Sequence, residues 1–220
     1  RAGHRVTILD AVALGYSIKQ TCDFAKKNQW DLIGLSVMTH VKIEAAETAR
    51  ELKKELPNTP IVVGGTHAYY FHAEILKEME HVDFVLYGEI EKSWEIFLSK
   101  LHLYGEWPSI PGFCYRMSDR AIKINPKSEI LDDLDLLPFP AWHLYDFSLY
   151  KPLPFQSKSE SFFALITSRG CVYGKCAFCY QAGREKQKYR RHSPSRVIQE
   201  MKMLHDKYGV NDIAFWDDTF

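Results

Sequence analysis

Three of the chain's five cysteines, Cys171, Cys176 and Cys179, fall within nine residues in the spacing C-x4-C-x2-C. Thiolates are soft donors that hold iron–sulfur clusters and zinc alike. Three of them on one loop can ligate three irons of a [4Fe-4S] cluster and leave the fourth iron open to a small molecule. A structural zinc site needs a fourth ligand, for which His192 is a candidate. The remaining reading is three packed or free cysteines without a metal. Cys22 and Cys114 stand apart, one on a helix face and one in a strand pattern, where cysteine acts as a small packing residue. An odd cysteine count does not describe a secreted disulfide framework. The clustering points to a reducing, cytoplasmic setting.

The elements around that loop place further candidates. Residues 162–167 form an apolar run of the buried-strand kind directly before it. After it, Ser193-Pro194 is a helix start, with Ser as N-cap and Pro at the first helical position. Val197, Met201, Leu204 and Tyr208 mark the helix face and Gly209 ends it. Residues 213–216 make the next strand, and Asp217 and Asp218 stand at its end. A carboxylate there suits an ammonium group, or else caps a turn. The basic run Arg184, Lys186, Lys188, Arg190 and Arg191 reads as a solvated face or an attractor for an anionic ligand.

The first hundred residues alternate strand and helix signals. Apolar runs at 6–9, 32–37, 61–63 and 84–87 are separated by helical spacings such as Ile18, Cys22, Ala25 and Ala45, Ala49, Leu52, Leu56. Such alternation predicts an α/β fold with a parallel sheet. A first strand and helix are expected upstream of residue 1. Ligands of open α/β sheets sit at the carboxyl ends of the strands. Ser36, Gly64, Gly65, Gly88 and Glu89 stand at such ends. Glycine there lets the backbone approach a ligand closely, or is a plain turn residue. Beyond residue 105 the pattern changes to a small hairpin at 113–116 and 121–124. A Pro- and Asp-rich connection follows over 126–160, in which Trp142, Tyr145 and Phe147 are expected to tie the chain down.

Composition sets outer limits. Apolar residues make up 46% of the 220, enough for a buried core and against disorder. Lys plus Arg and Asp plus Glu are 28 each, so no overall field favours nucleic acid or an anionic membrane. No apolar run reaches the roughly 18 residues of a membrane span.

The segment TSRGCVYGKCAFCY resembles the cluster loop of radical S-adenosylmethionine (SAM) enzymes, with Phe178 as the aromatic residue before the last cysteine. That family usually spaces its cysteines C-x3-C-x2-C; this chain carries one more residue, as in longer loops of the cobalamin-dependent branch. DLIGLSVMTH, PIVVGGTHA and VDFVLYGEIEKSWEIF are similar to the cobalamin (B12)-binding domain of that branch, and LDDLDLLPFPAW to its linker. The resemblance implies a flavodoxin-like, Rossmann-like cobalamin-binding domain over 1–125, a linker over 126–160, and the truncated start of a partial (β/α) radical SAM barrel over 161–220. It implies cluster ligation by Cys171, Cys176 and Cys179. Ser36, Thr39, Gly64, Gly65, Gly88 and Glu89 would line the cobalamin, and Phe178, Asp217 and Asp218 the SAM. The activity implied is SAM cleavage to a 5′-deoxyadenosyl radical for methylation of an unactivated carbon. Alternatives are a ring-forming or rearranging enzyme, such as an anaerobic Mg-protoporphyrin monomethyl ester cyclase, and a non-catalytic cobalamin- or zinc-binding module. Implied partners are a small-molecule or peptide substrate and an external electron donor such as flavodoxin or ferredoxin. The D-x-H-x-x-G pattern that supplies a lower cobalt ligand in some cobalamin domains is not matched, because 10–15 carry Val12 at the His place.

Overall fold

The computed structural model describes residues 3–101, 110–117, 119–157, 159, 161–180 and 188–220. They divide into two units: Gly15–Ile130, and Leu131–Phe220 together with the segment up to Leu14.

In the first unit β1 (Ile33–Ser36), β2 (Ile61–Gly64) and β3 (Phe84–Leu86) run parallel and in that order. Ser36 lies beside Gly64 and Val63 beside Val85, so the three carboxyl ends share one edge. The helices are α1 (Ile18–Ala25), α2 (Lys42–Glu55), α3 (Thr66–Glu78) and α4 (Glu91–Ser99). Side chains alternate across a strand. Ile61, Val63 and Val85 therefore bury against Cys22, Leu52, Ile75 and Leu76 of α1 to α3. Val62, Phe84 and Leu86 bury on the opposite face against Phe97 of α4. Cover on both faces is why β2 and β3 read as unbroken apolar runs. β1, from the apolar run at 32–37, alternates half-buried and exposed positions and is, among the described residues, the outer strand of this sheet.

The predicted hairpin is β4 (Phe113–Arg116) and β5 (Ile122–Ile124), and β4 pairs antiparallel with β3, so the hairpin extends the sheet. Its tip includes residue 118, outside the described residues. Cys114 stands opposite Val85 with no exposure, and burial pushes its thiol up to about 12. Both isolated cysteines thus pack as anticipated.

The run at 6–9 forms no strand. A strand requires a neighbour for its N–H and C=O groups, and these residues lead instead into a turn over 11–15. Asp10 Oδ1 accepts the Ala13 N–H at 2.9 Å, and Oδ2 accepts the Tyr150 hydroxyl at 2.8 Å. The Asp and Gly of the imperfect D-x-H-x-x-G pattern therefore build a capped turn, with Val12 exposed.

In the second unit β6 (Phe162–Leu165) pairs parallel with β9 (Asp212–Phe215), and β7 (Ser168–Arg169) antiparallel with β8 (Arg190–Arg191). Between them α5 (Pro194–Tyr208) starts on Ser193, whose hydroxyl accepts the Arg196 N–H, and ends on Gly209 at φ 69°. Leu204 is fully buried with Leu165 and Val210. The connection folds onto this pair. Trp142 meets Phe163 edge-on at 5.2 Å, Phe147 packs on Phe163 and Tyr208 at 4.9 Å each, and Tyr145 stands 5.7 Å from Trp142.

The Trp142 indole also donates to Glu200 Oε1 at 2.9 Å, and Glu200 is buried. Trp142→Phe keeps most of the packing and removes that donor. A buried acceptor left without its partner costs about 1–3 kcal/mol. The urea midpoint of this variant is expected to fall accordingly; an unchanged midpoint would show that the indole N–H contributes nothing. Among the described residues no helix is long and apolar enough to cross a membrane.

Candidate cofactor sites

At the carboxyl edge of the first unit, Ser36 and Thr39 are both exposed. The Val37 N–H donates to Gly64 O at 2.8 Å, and Val37 O accepts the His67 N–H at 3.1 Å. The Thr39 hydroxyl lies 3.1 Å from His67 Nδ1. The loop after β1 is thus pinned to the start of α3. Gly65 makes this possible: at φ +107°, a Cβ would stand 2.7 Å from Val37 O. Gly65, expected to give a cofactor room, also lets two backbones cross here. At Gly64 a Cβ would stand in ordinary contact, 3.9 Å from Leu86 O. Gly88 differs again, because at φ +87° it has nothing within 4 Å of where a Cβ would be and faces open space. Glu89 follows it, half-buried. Beneath this edge the buried Tyr87 ring stacks on His72 at 4.0 Å, and its hydroxyl donates to Asn125 O.

The buried His67 ring stacks on Phe71 at 4.8 Å. Burial first, and then the Lys42 charge, hold the imidazole below its ordinary value. The folded state therefore binds this proton less readily than the unfolded chain does. The stability it contributes is complete above the unfolded value of about 6.5 and is lost as pH falls through the lowered one. Urea midpoints between pH 7 and 5 are expected to drop more steeply for the unmodified chain than for His67→Gln. Parallel curves would contradict the burial argument.

In the second unit the Asp217 carboxylate is surrounded by β6's exit. Its Oδ1 accepts the N–H groups of Thr167 and Ser168 at 2.7 and 2.6 Å and the Ser168 hydroxyl at 2.9 Å. Its Oδ2 accepts the Thr167 hydroxyl at 2.7 Å. Asp217, expected to face SAM, also uses both of its oxygens to join the ends of β9 and β6. Asp218, next along, is exposed.

On the cysteine loop, Cys171 Sγ accepts the Thr219 hydroxyl at 3.0 Å. Thr219 first, and then the Gly174 and Tyr173 amides, hold this thiol below its ordinary value. The Cys179 N–H donates to Cys176 O at 2.9 Å. All three thiols are free and partly exposed, and Phe178 is 93% exposed. Among the described residues no three Cys, His, Asp or Glu side chains converge as ready metal ligands. The structure brings Cys171 to Thr219 and leaves Cys176 and Cys179 on the open loop.

His192 is not gathered with the cysteines. Its Nδ1 stands 3.0 Å from Asp135 Oδ1, whose carboxyl is held low by hydrogen bonds from Ser193 first and His192 next. The basic run also divides. Arg190 is buried and donates to Leu131 O at 2.6 Å and Lys188 O at 3.1 Å, so it is no part of a solvated face. Lys188 lies 3.6 Å from Asp132, Arg191 is exposed, and Arg184 and Lys186 fall outside the described residues.

The donor set suits an iron–sulfur cluster: three reduced thiols on one loop, with hydrogen bonds that favour the thiolate at the first of them. The sheet edge suits a large polar ligand, with exposed hydroxyls at Ser36 and Thr39 and open space at Gly88. Thr219 had no signal in the cysteine spacing. A hydroxyl two residues beyond Asp217, at a strand end beside the loop, was the cue available.

Residues 1–98 match the family model described as B12 binding domain. This part of the chain is similar to the B12-binding family. The B12-binding match takes in β1 to β3 and the glycine-bearing edge just described. The chain as a whole is 29% identical over 220 residues to the "Uncharacterized methyltransferase PH0819" of Pyrococcus horikoshii, covering 100% of this chain and 46% of that protein. It is 28% identical over 222 residues to the anaerobic magnesium-protoporphyrin IX monomethyl ester cyclase of Synechocystis, covering 99% and 42%. The fold matches a solved radical S-adenosylmethionine methyltransferase, TsrM from Kitasatospora setae with cobalamin and a [4Fe-4S] cluster bound. That match has a TM-score of 0.71 at 17% identity, covering 98% of this chain and 42% of TsrM. The chain therefore spans less than half the length of these relatives.

Proposed function

We propose that the protein of which this chain forms the B12-binding part and the cysteine loop is a cobalamin-dependent radical SAM enzyme, acting as a methyltransferase on an unactivated carbon. The observation that carries this is the three free cysteines on one loop at the exit of β6, in a chain whose first 98 residues match the B12-binding family. When bound, the cluster supplies the electron that cleaves SAM, and cobalamin supplies a transferable methyl group.

This chain's own residues bind and orient. Cys171, Cys176 and Cys179 hold the cluster. Asp217 fixes the strand end, and Asp217 and Asp218 together stand where the SAM amino group or ribose is held. Phe178 stands beside the last cysteine, exposed enough to cover a ligand. Ser36, Thr39 and Gly88 contact the cobalamin, with Gly64 and Gly65 shaping the edge and Glu89 at its rim. The functional division is a cobalamin part over 1–125, a connection over 126–160 and the start of the radical SAM part over 161–220. The substrate is a small molecule or peptide, the electron donor a flavodoxin or ferredoxin, and the setting cytoplasmic.

The likeness to the magnesium-protoporphyrin cyclase, nearly as close in identity as that to the methyltransferase, favours oxidative ring formation as the second reading. Anaerobic analysis of iron, sulfide, zinc and cobalamin on one sample of the intact protein tests the assignment. About four irons per chain with cobalamin are expected. Zinc without iron would overturn the cluster, and iron without cobalamin would remove the methyl donor. Product mass then separates methylation, which adds a methyl group, from ring formation.

A further inference from the structure

The strand end after β9 does more than present Asp218. We propose that Thr219 is a positioning residue for the cluster: its hydroxyl holds Cys171 Sγ in place and, through that hydrogen bond, sets the cluster's reduction potential. The inference rests on the cluster assignment made above.

The geometry behind it is a clamp with two jaws. Asp217 takes four hydrogen bonds from Thr167 and Ser168, which fixes the chain three residues ahead of Cys171. Two residues past Asp217, the Thr219 hydroxyl reaches Cys171 Sγ at 3.0 Å. One strand end therefore grips the cysteine loop both before and at its first ligand. Cys176 and Cys179 receive no comparable side-chain hydrogen bond among the described residues. Among the described residues, Cys171 is the loop sulfur that a side-chain hydrogen bond from a distant part of the chain holds in place.

The consequence is electronic as well as steric. A hydrogen bond donated to a ligating sulfur stabilises the more negative, reduced cluster, and so raises its potential. Threonine at 219 supplies one such donor. The same chain end carries Asp218, next in sequence to the hydroxyl on the cluster sulfur.

The test uses Thr219→Val and Thr219→Ser in the intact protein, reconstituted anaerobically with iron and sulfide. Each sample is poised at a series of potentials, and the reduced cluster is counted by electron paramagnetic resonance. Thr219→Val is expected to take up as much iron as the unmodified protein, with its midpoint potential shifted to a lower value. Thr219→Ser is expected to keep the unmodified potential. Equal potentials in all three proteins overturn the inference and leave the cluster assignment standing. If the valine variant takes up no iron, the serine variant decides: an unmodified iron content and potential supports the hydroxyl's role, and loss there as well overturns it. No iron in the unmodified protein overturns the cluster assignment and this inference with it.

Discussion

Cys179→Ala is expected to reduce iron in the reconstituted protein from about four per chain to background, with loss of the cluster's visible absorption. Three thiolates are the minimum that holds such a cluster with one iron open, so removing any one leaves two irons without protein ligands. Cys179 is the informative choice because its sulfur has no structural duty in the described fold. It is partly exposed, and its recorded contact is a backbone N–H to Cys176 O. Its removal should therefore leave the unfolding midpoint of the metal-free protein unchanged. Cys22→Ala is the matching control, since that thiol is buried on α1 in the other unit and should leave iron content intact. A full iron complement in Cys179→Ala would sink the cluster assignment.

The second large effect concerns Gly65. Gly65→Ala places a Cβ 2.7 Å from Val37 O on a residue held at φ +107°. Backbone strain in that region costs about 1–3 kcal/mol, and the steric overlap a comparable amount. A stability loss of about 2–6 kcal/mol is expected by urea unfolding, enough to unfold a marginal domain. Gly88→Ala provides the contrast. Its φ of +87° is similar, yet nothing lies within 4 Å, so only the backbone term applies. If both substitutions cost the same, the close crossing of Gly65 over Val37 has no energetic weight. Cobalamin affinity separates them the other way: Gly88→Ala, which keeps the fold, is the variant expected to weaken binding.

The parts legible in the sequence were those governed by local rules. β2 and β3 announced themselves as apolar runs because both faces are covered, and α5 because Ser193, Pro194 and Gly209 mark its two ends. The three cysteines were legible because their chemistry depends on type and spacing. What could not be read was anything set by a partner distant in the chain. The run at 6–9 has the composition of a strand, but pairing depends on a neighbour that no local pattern specifies. Asp217 looked like Asp218 until the structure placed Thr167 and Ser168, some fifty residues earlier, against its carboxylate. Gly65 was legible as a glycine at a strand end, and only the position of the Val37 carbonyl shows the backbone crossing it also permits. Arg190 belonged to a basic run by sequence, while burial against Leu131 O gives it a structural duty instead.

The pairing of β6 with β9 also bears on how the chain survives its own synthesis. Phe162 pairs with Asp212, fifty residues further on, and all three loop cysteines lie between them. Contacts separated by that much sequence close late, since the entropy of the intervening chain opposes them until other structure has formed. Thr219 reaches Cys171 only once β9 has been made and has docked. Until then the nascent chain carries three of its five thiols in an unclosed segment, open to sulfenic acid formation or wrong disulfides. The interval between translation of Cys171 and docking of β9 is thus a period in which the first ligand sulfur lacks the hydroxyl that holds it. Its length follows from the order of strands rather than from the cysteines themselves.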